Sequence, residues 1–545
     1  MSVKSENNGT AFLESEQLKK LGVANLIASL DVRSHYGEEA RRGLKPFLPG
    51  NETEFTEHFR ILRRVGDWLK ANESGLPALL SYLSRIENID GYLSARSWNQ
   101  TTIFVVKKCL KNFVAAHKIF SENPEPIADL VPKLAFEEIA ALNRFPFNEN
   151  DFALPDEFTP KLKKLRKSAK EIRLKLEKSR KEQLDNLRKR LKLPKNCGTE
   201  FIVDRTDSSL LKKVSADNEV VPIRELSACV HFRLRESVES QSLAEELSTA
   251  LRKQRSEEQK IYRKLGAEIE KKEPKIRAAL EKLGKLDLLI AISRFAQETK
   301  ACIPQLSIDS VNISNGNFLP LKNILAKSGE DYSSLNISIA PPGAIITGSN
   351  MGGKTTVLFS VGFLQALAQF GIPPPAESFS APLFSHIFLS VTDELDFEKG
   401  LSAFGREIGF FKNALPFAKN RSLYLIDEPG RATNIVEGRA LSLAMLEKII
   451  KDGSTTLVTT HDEKLASRLN LRRYRMAGLK PDADAGGLCG SASEARKLMD
   501  YRILPEDKTK SGSDAIRVAE LLGLDKELIN RALFLQEIEF CAKDE

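Results

Sequence analysis

Residues 345–356 read Ile-Ile-Thr-Gly-Ser-Asn-Met-Gly-Gly-Lys-Thr-Thr, an apolar strand running into Gly348, Gly353, Lys354 and Thr355 at the spacing of a phosphate-binding loop. No other feature constrains the chain as strongly, because such a loop works only between a buried strand and the N-terminus of a helix. An α/β layer is therefore predicted for this part of the sequence. Glycines are needed where backbone N–H groups must converge on phosphates without side chains in the way, and the helix dipole behind them favours negative charge. Lys354 would neutralise the phosphate charge, and the hydroxyl of Thr355 would reach Mg²⁺. The nucleotide-binding candidates are Gly348, Ser349, Asn350, Met351, Gly352, Gly353, Lys354, Thr355 and Thr356.

Downstream, Arg421-Ser422-Leu423-Tyr424-Leu425-Ile426-Asp427-Glu428 is a short apolar run ending in two carboxylates. A buried strand that delivers Asp427 beside the phosphate loop supplies a second Mg²⁺ contact, and Glu428 can polarise an attacking water. The pair makes hydrolysis the expected chemistry, beyond binding alone. Ser454 to Val458 reads as another strand, with Thr459-Thr460-His461-Asp462 at its carboxyl end. Ligands of parallel α/β sheets bind at that end, which places His461 to sense a γ-phosphate, although a lone His after a strand is also an ordinary loop residue.

These segments resemble one family. Gly348-Ser349-Asn350-Met351-Gly352-Gly353-Lys354-Thr355 is similar to the phosphate loop GPNMGGKS of the MutS ATPases, whose Asn-Met-Gly-Gly core is much rarer than the generic loop. Asp427-Glu428-Pro429-Gly430-Arg431-Ala432-Thr433 resembles DEIGRGT, departing at Pro429 and Ala432. Leu401-Ser402-Ala403-Phe404 with Glu407 resembles the signature STFxxEM, departing at Ala403 and Ile408, and Ser511 to Leu524 resembles the closing SYGIxVAxLAGLP. Four motifs in order over residues 308–535 carry the likeness. It implies ATP as the nucleotide, Asn350 near the γ-phosphate, and an aromatic under the adenine near Tyr332, which as a sequence feature is equally an ordinary surface Tyr. It also implies that Ser402 acts in trans on a partner's γ-phosphate, so that two composite sites require a dimer, most simply a homodimer. The catalytic candidates are Glu428, Lys354, His461 and Ser402, and the metal ligands Thr355 and Asp427.

The first 300 residues are mainly helical by pattern. Between Pro160 and Pro194 a single long helix carries Leu162, Leu165, Ala169, Ile172 and Leu176, then slips in phase to Leu184, Leu187 and Leu191. Leu243 to Leu280 reads as its antiparallel partner, and Glu200–Asp204 and Val230–Arg235 as short strands at the tip. The expected fold class is thus a C-terminal α/β phosphate-loop NTPase domain of the ABC/MutS-like kind. By the same resemblance to the MutS family, a mainly α-helical lever and core, a long antiparallel coiled-coil clamp and a small β tip precede it. The expected domains are 18–155 (helical core and lever), 156–300 (lever helices, clamp and tip) and 305–545 (ATPase domain with a C-terminal helical dimerisation segment). Met1 to Gln17 is too short for the family's amino-terminal mismatch-reading domain.

From Lys161 to Lys195 there are 16 Lys or Arg against 4 Asp or Glu, a net +12 in one helix of a chain whose total is +8. Such a helix could neutralise nucleic-acid phosphates without reading sequence, or be the solvated face of a Lys-rich coiled coil. The chain opens on a polar, acidic stretch and contains no run of 18 apolar residues, so a cytoplasmic protein with no membrane partner is expected. Its six scattered cysteines read as buried free thiols. Two function classes follow. In one, ATP closes a dimer around mismatched or branched duplex DNA in repair or recombination control. In the other, the same dimer remodels a protein client such as a cobalamin-dependent lysine aminomutase, a role associated with some MutS-like ATPases that lack the mismatch-reading domain.

Overall fold

The computed structural model describes residues 12–122, 125–132, 154–348, 353–391, 403–431, 433–480, 498–506, 515–521 and 523–541. It has a mixed α/β architecture, helical in its N-terminal region and sheet-containing towards the C-terminus. By contact the chain divides into two compact units, Arg85–Ala116 with Pro132–Leu280, and Met1–Ser84 with His117–Val131 and Glu281–Glu545.

In the unit that holds residues 132–280, the helix Pro160–Leu191 starts where Thr159 accepts a hydrogen bond from the Leu162 amide and Pro160 supplies a pre-set φ. It runs antiparallel to the helix Val238–Glu270. Lys161 and Arg166 pair with Glu257 and Glu258 at one end, while Ser179 meets Ser240 at the other. Leu162, Ala169 and Leu176, then Leu187 and Leu191, are the buried stripe, including the phase slip. The partner differs from expectation at both ends. It begins at Val238, and it stops at Glu270, where Lys271-Lys272 interrupts it before a new helix, Glu273–Thr299, with Pro274 in its first turn. Beyond the paired stretch, Gly266 lies under Trp98, where a Cβ would come within 2.0 Å of the indole, and the indole N–H donates to Glu270 at 2.6 Å.

The tip is a three-stranded antiparallel sheet of β1 (Glu200–Asp204), β2 (Val220–Glu225) and β3 (Cys229–Leu234) in the order β1-β3-β2. Strand β2 escapes a sequence reading because Pro222 cannot donate to a ladder; the structure tolerates it on an edge, with a register shift between Pro222 and Arg224. One face, carrying Val203, Val230 and Phe232, packs with Leu187, Leu191 and Val214. Ile202 on the other face is 61% exposed.

The second unit is built on two sheets. Strands β4 (Gln305–Leu306), β5 (Val311–Gly316), β6 (Leu335–Ile339) and β8 (Ser378–Ala381) form a small sheet in the order β4-β8-β5-β6. Strands β7 (Gly343–Thr347), β9 (Ile387–Ser390), β10 (Leu423–Asp427), β11 (Thr455–Thr459), β12 (Arg472–Leu479) and β13 (Met499–Pro505) form a six-stranded sheet in the order β13-β12-β7-β11-β10-β9. Five of its strands are parallel and β13 is an antiparallel edge. Parallel strands are covered on both faces, hence the continuous apolar runs in β7 and β10. The helix Lys354–Gln369 is buried almost all round, as an apolar helix without a polar face must be. Gly362 in it allows Leu425 and Leu21 to approach.

Residues from the start of the chain complete this core. Phe12, Leu13, Leu21 and Val23 share one cluster with Leu358, Phe363, Leu423 and Leu457. Buried Gln369 fastens the arrangement, its amide donating to the carbonyls of Phe47 (2.7 Å) and Phe384 (2.9 Å) while its Oε1 accepts from the Phe384 N–H at 3.1 Å. Among the described residues no helix is long and apolar enough to cross a membrane. Cys109 and Cys197 are buried free thiols as expected, whereas Cys229 and Cys302 are only half-buried.

Ser34 caps the helix His35–Arg42 and also donates its hydroxyl to Asp287 Oδ2 at 2.6 Å, with its amide donating to the same oxygen at 2.7 Å. Burial lifts the Asp287 carboxyl from 3.8 to about 6 against these hydrogen bonds. Its folded pKa lies above its unfolded one, so the native state holds the proton more tightly and stability falls as pH rises from about 4 to about 6. Asp287→Asn retains a carbonyl acceptor for Ser34 and removes that titration. Thermal melts should therefore show the variant gaining on the wild type as pH rises through this window; a constant difference between the two would reject the linkage.

Candidate active site

Strand β7 ends at Thr347, and Gly348 follows at φ 136, where a Cβ would come within 3.1 Å of Met476. Gly353 re-enters the described chain at φ 83, the left-handed N-cap of the helix Lys354–Gln369. Both torsions lie in the region that favours glycine. Ser349, Asn350, Met351 and Gly352 lie outside the described residues, as does Ser402.

Lys354 is 4% exposed. Its ammonium donates to the Gly348 carbonyl at 2.6 Å and stands 3.4 Å from Glu428 Oε1. Burial pushes its pKa below the ordinary lysine value, opposed by the charges of Glu428 and Asp427. The Thr355 hydroxyl donates to Asp427 Oδ2 at 2.7 Å, and the Thr459 hydroxyl donates to the other oxygen. Asp427 and Thr459 are direct partners in the register of β10 and β11, which explains the second bond.

Glu428 follows immediately, at φ 45, with its amide donating to the Thr459 carbonyl at 2.9 Å. Its Oε2 lies 2.8 Å from His461 Nδ1 and 3.6 Å from an Arg431 nitrogen. Glu428 therefore meets three basic side chains, two of them, Lys354 and His461, picked out from sequence. Asp462 beside the histidine is structural. It caps the helix Glu463–Arg468 and pairs with Arg439 at 2.6 Å, and although burial raises its pKa, Arg439 and the capping amides hold it below the usual carboxylate range.

A cavity of about 630 Å³ adjoins the loop, bounded by Gly353, Thr356, Val357, Leu321, Tyr332 and Tyr501 among others. Tyr332 is thus on the wall of a pocket next to the loop, its hydroxyl accepting from the Phe318 amide at 2.8 Å. The described candidates Gly348, Gly353, Lys354, Thr355, Asp427, Glu428 and His461 converge at the carboxyl ends of β7, β10 and β11, and Thr356 and Tyr332 line the neighbouring cavity. Sequence reasoning assigned no role to Thr459, Arg431 or Tyr501. Thr459 carried a usable signal as the polar last residue of a buried strand, whereas Tyr501 had none, since it comes from the distant edge strand β13.

The MutS domain V family matches residues 344–539. An "Endonuclease MutS2" of Pelotomaculum thermopropionicum is 31% identical over 293 residues, covering 53% of this chain and 35% of that protein. An "Endonuclease MutS2" of Enterococcus faecalis is 30% identical over 301 residues, with the same coverage of 53% and 35%. The similarity to one from Leuconostoc mesenteroides extends over 359 residues at 25% identity, 63% of this chain and 43% of that protein. The chain thus spans well under half the length of these curated relatives.

Proposed function

We propose that the chain, whose residues 344–539 match the MutS domain V family, is a MutS-family ATPase that binds and hydrolyses ATP with Mg²⁺ as a homodimer and acts on mismatched or branched duplex DNA in repair or recombination control. The observation that carries the reading is the convergence of Lys354, the Thr355–Asp427 pair and Glu428 at the carboxyl ends of β7 and β10, the two strands that flank β11. A hydroxyl and a carboxylate held 2.7 Å apart are the oxygen ligands that Mg²⁺ prefers, so Thr355 and Asp427 fit the metal. The ion would spread the charge that develops on the phosphates.

Lys354, already desolvated, binds phosphate without a further burial cost of its own. Glu428 orients the water and draws off its proton, with His461 fixing the carboxylate through Oε2. The adjoining cavity suits an adenine laid against Tyr332. Ser402 completes the site in trans. The antiparallel helices Pro160–Leu191 and Val238–Glu270 with their β tip act as a clamp whose exposed Lys163, Lys164, Lys167 and Lys170 meet DNA phosphates.

Glu428→Gln should bind ATP but turn it over at least about a hundred-fold more slowly, whereas Lys354→Ala should lose tight nucleotide binding. Steady-state phosphate release and nucleotide titrations check both, and equal turnover of wild type and Glu428→Gln would sink the assignment.

If Ser402 acts across the interface, mixing Ser402→Arg with Lys354→Ala chains should rebuild one intact site per heterodimer and recover part of the activity. No recovery with heterodimers demonstrated would mean that each site is complete in one chain.

Charge reversal of Lys163, Lys164, Lys167 and Lys170 should weaken DNA binding and flatten the slope of log affinity against log salt, with helix content unchanged. Arg166 is kept unchanged because its guanidinium bonds both Asp156, just before the helix, and Glu258 of the partner helix. No wild-type binding to duplex or junction DNA at about 50 mM salt, where the phosphate term is strong, would transfer the function to a protein client.

A further inference from the structure

Glu428 sits in a turn whose shape is fixed by its neighbours. Glu428 itself has φ 45 and Gly430 φ 80, both left-handed. A Cβ on Gly430 would come within 2.6 Å of the Gly438 carbonyl, and one on Gly438 within 2.3 Å of the Gly430 carbonyl, so the turn and the helix Ile435–Lys451 touch backbone to backbone. The Glu428 amide is tied to Thr459 of β11. A third anchor is the Gly430 amide, which donates to Glu407 Oε1 at 2.7 Å. Two of these anchors are main chain on main chain. The third is one carboxylate, carried on a separate helix, Ala403–Ala414.

We propose that Glu407 is a positioning residue for hydrolysis: by accepting the Gly430 hydrogen bond it holds the turn in the conformation that aims Glu428. A left-handed φ at a non-glycine residue is unfavourable unless its surroundings enforce it. Of these three anchors, Glu407 is the one that a movement of the Ala403–Ala414 helix would withdraw. Its carboxyl is half-buried, and burial raises its pKa while the Gly430 amide opposes the rise, as expected of a group facing one donor away from water. The acceptor, more than the charge, is what the amide needs, so an amide side chain should serve in its place.

The inference rests on the hydrolytic role proposed for Glu428, and the test separates the two. ATP turnover and MgADP affinity are measured on full-length wild type, Glu407→Ala, Glu407→Gln and Glu428→Gln. Glu407→Ala should lower kcat at least ten-fold while KM for ATP and MgADP affinity stay within three-fold, and Glu407→Gln should return kcat to within about three-fold of wild type. Wild-type turnover in Glu407→Ala, with Glu428→Gln inactive, would overturn the positioning role alone. So would a Glu407→Gln as damaged as the alanine variant, or loss of MgADP binding in both, which would make Glu407 a stability residue. Absence of turnover in the wild type would overturn both readings.

Discussion

A lysine ammonium that is 4% exposed must be met by an opposite charge or give up its own, and at this site Glu428 meets it at 3.4 Å. The rest of the site is arranged around that contact. Strand β7 delivers the loop, β10 delivers Asp427 and Glu428, and β11 delivers Thr459 and, just beyond it, His461. On the proposed function, arriving phosphate takes over the ammonium, and Glu428 is left to His461, Arg431 and water. Two groups that neutralise each other before binding thereby become a phosphate ligand and a base after it. Until then Glu428 opposes the burial that pushes the ammonium's pKa down.

On the proposed function, hydrolysis and nucleic-acid contact would draw on different parts of the charge distribution. The net +12 of residues 161–195 is not spread evenly round its helix. Arg166, Arg180 and Arg190 are spent on carboxylates within their own unit, while Lys163, Lys164, Lys167 and Lys170 stand exposed. Guanidinium forks suit fixed, directional pairs, but Lys161 also pairs, with Glu257, so the division is between paired and exposed cations and not between Arg and Lys. The bare charge count could not have made this division, because it weighs both kinds of cation equally.

What was legible in the sequence had a local cause. The loop glycines, the acidic end of β10 and the stripe from Leu162 to Leu191 each follow from a spacing that a single element imposes. What was illegible depended on partners far away in the chain. Strand β2 was hidden by Pro222, whose tolerance depends on an edge position. The partner helix stops at Glu270, before a new helix with Pro274 in its first turn, although the apolar spacing runs on across the break. Tyr501 reaches the cavity only because β13 pairs with β12, and Glu407 is visible in sequence as a motif residue but not as an acceptor for Gly430.

The sharing of one core by the two ends of the chain also has a consequence for how the protein can be divided. Phe12, Leu13, Leu21 and Val23 lie against strands and helices drawn from beyond residue 310, and Phe47 and Gln369 exchange two hydrogen bonds. In chain terms the helix pair and its tip are an insertion into a discontinuous body. A fragment begun near residue 305 would keep every phosphate-loop residue yet expose the apolar faces that the first fifty residues cover. Proteolytic trimming from the amino end would strip core from the nucleotide site, whereas removal of the inserted arm leaves both halves of that core available to each other.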